Sequence, residues 1–102
     1  MEAKDFLEKI KSWSIDELQR ARATLGTWLA RETAKLAEGE EGEEEEEVLR
    51  RLFAYAAAEL YINYCILKDS RYMELAEKCY ENCDAECFER IAEDIVMAYG
   101  VK

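Results

Sequence analysis

The chain contains no proline and only four glycines, Gly26, Gly39, Gly42 and Gly100. A hairpin-rich fold needs turn formers between its strands, so a sandwich or barrel is disfavoured from the outset. What remains is rich in Ala, Leu, Glu, Lys and Arg, the residues that lose least on entering a helix. Half of the 102 residues are apolar and 37% are charged. That combination points to binary patterning around one core rather than to disorder. The expected fold is all-α: an antiparallel bundle of four to five helices with a central apolar third helix, forming a single domain over residues 1–102.

Periodicity and caps divide the chain. A first helix over residues 2–11 has Phe6, Leu7 and Ile10 on one side. Ser14 followed by Glu17 is a capping box, and Trp13 is placed to staple onto Leu18. The second helix is expected over 15–37, with Leu18, Leu25, Trp28, Leu29 and Leu36 as its large side chains. A stripe of small residues, Ala23, Thr27, Ala30, Ala34 and Ala37, repeats at heptad spacing and predicts a close helix–helix contact. The third helix, over 46–68, is apolar nearly all round except for Arg51, Glu59 and Asn63. It should sit centrally. The pairs Glu46–Arg50 and Glu47–Arg51 have ion-pair spacing. Asp69 or Ser70 caps a fourth helix carrying Tyr72, Leu75, Ala76, Cys79 and Cys83. The apolar phase then shifts to Phe88, Ile91, Ile95 and Tyr99, which favours a turn at 82–84 and a fifth helix capped by Asp84; one long bent helix is the alternative. Gly100 is a natural stop.

Residues 60–83 resemble one helix pair of the tetratricopeptide kind at Leu60, Leu67, Ala76 and Tyr80. Tyr64 fills the glycine position, the closing proline is missing and no second copy occurs. Such folds need about three units. The segment is therefore read as an ordinary helical hairpin.

The net charge of −10 is concentrated. Residues 1–37 carry +1, residues 48–102 carry −3, and the eight glutamates of 38–47 carry −8. The stretch 38–45 reads as a flexible acidic loop leading into the third helix. Eight glutamates create a field that speeds encounters with basic surfaces. Glu40, Glu41, Glu43, Glu44 and Glu45 are accordingly the candidate partner-binding residues. The bland reading is a solvated loop that aids solubility, since the run holds no aromatic residue. Direct nucleic-acid binding is disfavoured: Arg20, Arg22, Arg31 and Lys35 are interleaved with Asp16, Glu17 and Glu32.

Cys65, Cys79, Cys83 and Cys87 are the chemically distinctive residues. As buried free thiols they are small hydrophobes. As a disulfide set, a turn at 82–84 would bring Cys79 and Cys87 onto facing helices. A zinc site would want close cysteine pairs on a knuckle, and only one such cluster exists. Intracellular disulfides are common in hyperthermophiles, and the abundance of Glu, Lys and Arg at ion-pair spacing fits such a source.

Histidine is absent. Histidine-based triads and two-histidine metal motifs are thereby excluded. The glycines among glutamates cannot cradle phosphate. No catalytic, cofactor-binding or metal-ligating residues are identified. The expectation is a non-enzymatic interaction or accessory protein, with a protein partner that includes a second copy of itself, as a homodimer through the apolar third helix. The alternatives are an acidic inhibitor or nucleic-acid mimic that engages a basic partner through residues 38–47, and a cysteine-based metal or redox protein. Residues 1–11 lack the apolar core of a signal peptide, and no apolar run reaches membrane-spanning length, so a cytoplasmic location is expected and no membrane partner.

Overall fold

A computed structural model describes residues 1–39 and 44–100. It contains five helices: α1 (Ala3–Ile10), α2 (Ile15–Glu38), α3 (Glu45–Leu67), α4 (Ser70–Glu81) and α5 (Ala85–Tyr99). No strand occurs among the described residues. The protein is an all-α bundle, and α3 is its centre, packing against each of the other four helices.

The caps explain where the helices begin. The Ser14 hydroxyl accepts from the Glu17 N–H at 3.1 Å, and the Glu17 carboxylate accepts from the Ser14 N–H at 3.0 Å. Both halves of the capping box are therefore made. Asp69 accepts from the Arg71 N–H, and Asp84 accepts from the N–H groups of Glu86 and Cys87. The α4–α5 turn is real, and residues 70–99 form two helices. The acidic loop is narrower than expected at both ends. Glu38 still belongs to α2 and Glu45 already belongs to α3. Gly39 ends α2 at φ 64°, a left-handed conformation that glycine adopts without cost. Lys68 ends α3 in the same region, at φ 58°, without that advantage.

The α2–α3 hairpin is registered by three contacts. Arg22 donates to Asn63 at 3.1 Å. The rings of Trp28 and Tyr55 meet edge-on with centroids 6.2 Å apart. Arg51 pairs with Glu32 at 3.3 Å. As the number rises along α2 it falls along α3, as antiparallel helices require. Arg51 and Asn63, two members of the polar line on α3, thus meet polar groups on α2.

The helix face buried by α2 differs from the expected one. Ala23, Thr27, Ala30, Ala34 and Ala37 all face solvent. A parallel line, Leu18, Ala21, Leu25, Trp28 and Glu32, turns inward instead. Both lines have heptad spacing, and the second carries more apolar area to remove from water, at roughly 25 cal/mol per Å². Among the described residues nothing buries the small stripe.

The core centres on Phe6, Ile10, Leu25, Ile62, Phe88 and Ile95, all fully buried. Phe88 receives three rings edge-on: Phe6 at 5.8 Å, Tyr61 at 6.4 Å and Tyr80 at 4.9 Å. Four helices therefore converge on one side chain. Burial raises the Tyr61 hydroxyl to a pKa of about 12. At the opposite end, Trp13 lies against Gly100, where a Cβ would come within 2.6 Å of its ring. Nearby, Tyr99 shares a hydrogen bond with Thr24.

The apolar circumference of α3 is mostly covered by these neighbours. Val48, Ala54, Ala57, Ala58, Tyr61, Ile62 and Cys65 are buried. Leu49, Phe53 and Leu67 are left 37%, 38% and 52% exposed. The excess that motivates a homodimer is thereby reduced to a few residues on one side. No described helix is long and apolar enough to cross a membrane.

Candidate functional site

The first half of α3 combines charge with exposed apolar surface. Glu44 is the N-cap, and Glu45, Glu46 and Glu47 form the first turn. Their negative charge suits the unpaired N–H groups of a helix start, which is why the glutamate run becomes helical here. All four are solvent-exposed, and none forms an ion pair with another described residue. No Glu46–Arg50 ion pair is present among the described residues, and Arg51 reaches across to Glu32. Glu40, Glu41 and Glu43 lie outside the described residues; of the candidate set, Glu45 lies one turn before Leu49, whereas Glu44 is the N-cap, one turn before the buried Val48.

One turn further along are Leu49 and Phe53. With Ala56, Leu60 and Leu67 they trace a second line on α3, at multiples of the helix repeat and opposite the buried line. Leu49 and Phe53 flank a shallow groove of about 380 Å³ whose other wall is the end of α4 and the α4–α5 turn, through Glu81, Asn82 and Cys83. The Asp84 N–H donates to the Arg50 carbonyl at 3.2 Å, which ties that turn to α3. Glu46 and Glu81 stand at its edges and Arg50 is its one cation among the described lining. The sequence run that lacked aromatics is thus supplied with an aromatic and an aliphatic anchor from the next two turns.

The four cysteines are free thiols. Cys65, Cys83 and Cys87 are buried, and Cys79 is half-buried. Cys83 contributes to the groove beside Leu49, whereas Cys87 lines a different cleft on the far side of α5. The spacing of the three α4–α5 cysteines therefore does not gather them at one point. The Cys83 thiol donates to the Tyr80 carbonyl at 3.1 Å. Burial raises the pKa of all four thiols, Cys83 to about 11 with Asp84 adding to the effect. Raised thiols are poor nucleophiles near neutral pH. No cluster of three or more acidic or cysteine side chains suited to a metal ion occurs among the described residues.

Leu49 and Phe53 escape a sequence reading because α3 is apolar nearly all round. The signal is present nonetheless: two interleaved lines run along α3, and only one can face the core. Glu81 and Asn82 carry no such signal, since the fold alone brings them beside Phe53. Comparison with known proteins finds no matching family model, no similar curated protein and no similar solved structure.

Proposed function

We propose that the protein is a small non-enzymatic interaction subunit that captures a basic, amphipathic segment of a partner protein along the first half of α3. One observation carries this reading: Leu49 and Phe53 stand exposed beside Glu45, Glu46 and Glu81, which have no ion-pair partner among the described residues. Apolar anchors supply affinity, and the surrounding charge steers encounter and selects sign. An amphipathic helix bearing Lys and Arg beside an apolar stripe matches both features. A second copy of the chain matches the anchors only, because it would bring two acidic helix starts together.

The probe is a synthetic basic amphipathic helix, compared with a scrambled peptide of identical composition by fluorescence anisotropy. Binding of the amphipathic form over the scrambled one is expected. The paired change Leu49→Ala, Phe53→Ala should weaken it at least tenfold, and so should Glu45→Gln, Glu46→Gln, Glu81→Gln. Equal binding of both peptides, or insensitivity to the apolar pair, overturns the reading. Light scattering that shows a dimer disrupted by Leu49→Ala, Phe53→Ala would replace it with self-association.

A further inference from the structure

A second cleft lies between α2, α3 and α5, on surface that the acidic face does not use. It encloses about 460 Å³, within the roughly 300–1,000 Å³ of small-molecule sites. The charge of its described lining is opposite to that of the whole chain. Four cations, Arg31, Lys35, Arg51 and Arg90, line it against two carboxylates, Glu32 and Asp94, in a protein of net charge −10.

The origin of the cleft is visible in the inward line of α2. That line is apolar through Trp28 and then becomes charged at Glu32 and Lys35. The bundle cannot close over charged groups without desolvating them, so α2 and α5 part there. Glu32 forms the floor. Its side chain is 10% exposed, and it binds both Arg51 and Lys35 at 3.3 Å. These two cations are thereby held in place.

The rim is different. Arg31 on α2 and Arg90 on α5 stand on opposite walls, and neither makes a hydrogen bond or ion pair with a described residue, although Asp94 lines the same cleft. The Trp28 indole N–H and the Tyr55 hydroxyl also have no described hydrogen-bond partner. Four donor groups from three helices therefore line one cleft without a hydrogen-bond partner among the described residues, accessible to a ligand. Tryptophan and tyrosine rings with Ile91 supply flat apolar walls. Guanidinium groups bind oxyanions through paired N–H donors and stack on planar groups.

We propose that this cleft binds a small aromatic oxyanion, with the oxyanion held between Arg31 and Arg90 and the ring against Trp28. Two guanidinium groups, Arg31 and Arg90, on one oxyanion favour a dianionic phosphate monoester over a carboxylate. Glu32 is a positioning residue, which keeps Arg51 and Lys35 at the floor.

The test uses the full chain and phenyl phosphate, benzoate and inorganic phosphate as probes at physiological ionic strength, followed by the indole N–H resonances of Trp13 and Trp28. Saturable movement of the Trp28 signal alone is expected, with phenyl phosphate binding more tightly than benzoate, and both more tightly than inorganic phosphate. Arg31→Gln and Arg90→Gln should each weaken phenyl phosphate at least tenfold. Arg20→Gln, which alters an exposed arginine paired with Asp16, should leave binding unchanged. Equal loss in all three variants, a non-saturating response, or inorganic phosphate binding as well as phenyl phosphate overturns the proposal. None of these changes touches Leu49, Phe53 or the glutamates of the acidic face, so the two readings fail independently.

Discussion

Replacing Gly100 by alanine places a methyl group where the structure has no room for one. The new Cβ would lie 2.6 Å from Trp13 Cζ2 and 2.9 Å from the Val96 carbonyl oxygen. Both distances are shorter than side-chain carbons tolerate, and one partner is backbone. Trp13 must therefore swing away from the end of α5, or the helix end must shift. Forcing an extra carbon into a packed site costs about 1–3 kcal/mol. An opposing gain of about 0.4–1 kcal/mol comes from the lower entropy of an unfolded chain that lacks this glycine. The backbone here is right-handed, at φ −97°, so conformation itself does not penalise alanine. The net expectation is a loss of about 1–2 kcal/mol. At roughly 4–8 °C per kcal/mol for a chain of this size, the melting temperature falls by about 5–15 °C. Urea unfolding monitored by circular dichroism gives the free energy directly. In a Trp13→Ala background most of the penalty should vanish, leaving the contact with the Val96 carbonyl, so the two substitutions should be strongly non-additive. A Gly100→Ala variant as stable as the parent would refute the claim that the ring and the helix end are in contact.

Lys68→Gly should stabilise the protein by about 0.5–1 kcal/mol in urea unfolding, because the left-handed cap of α3 strains a lysine and not a glycine. Burial raises the pKa of the half-buried Glu59, with Arg22 only partly opposing it. The folded state therefore holds this proton more tightly than the unfolded state, and stability declines as pH rises from the ordinary carboxylate value through the raised one. Glu59→Gln should accordingly stabilise the protein at neutral pH and lose that advantage in acid, as read from melting temperatures across pH. The raised pKa values of the four thiols predict slow reaction with iodoacetamide at pH 8 in the folded protein, accelerating for all four when urea unfolds it; fast labelling of Cys83 in the native state would contradict its environment.

Helix starts are the most legible feature of this chain because their determinants are local. Ser14 with Glu17, Asp69 and Asp84 each act within three residues, and each caps the helix that its position predicts. The end of α3 is less legible, since Lys68 takes a conformation that its side chain does not advertise. The choice of face on α2 is less legible still. Two heptad lines lie side by side, and the smaller residues, which look like a tight seam, lose to the line with Leu18, Leu25 and Trp28. The same ambiguity on α3 conceals Leu49 and Phe53. Of the acidic candidates, Glu45 falls one turn before Leu49, so part of the charge of the face is readable and its apolar content is not. The cleft of Arg31 and Arg90 depends on α2 and α5, which are distant in sequence, and on the unexpected inward turn of Glu32. No pattern confined to one helix contains it.

The aromatic cluster around Phe88 has a consequence for how the chain assembles during synthesis. α2 with α3, and α3 with α4, are neighbours along the chain, and such local pairs close quickly. Phe6 lies on α1, yet its ring partner Phe88 lies on α5, beyond α2, α3 and α4. α1 also packs against α3, so its burial can begin earlier but is completed only when α5 is in place. Its eight residues are too few to hold a helix alone in water. The apolar face of α1 is thus only partly covered until α5 docks, and in that interval it is open to unwanted contacts.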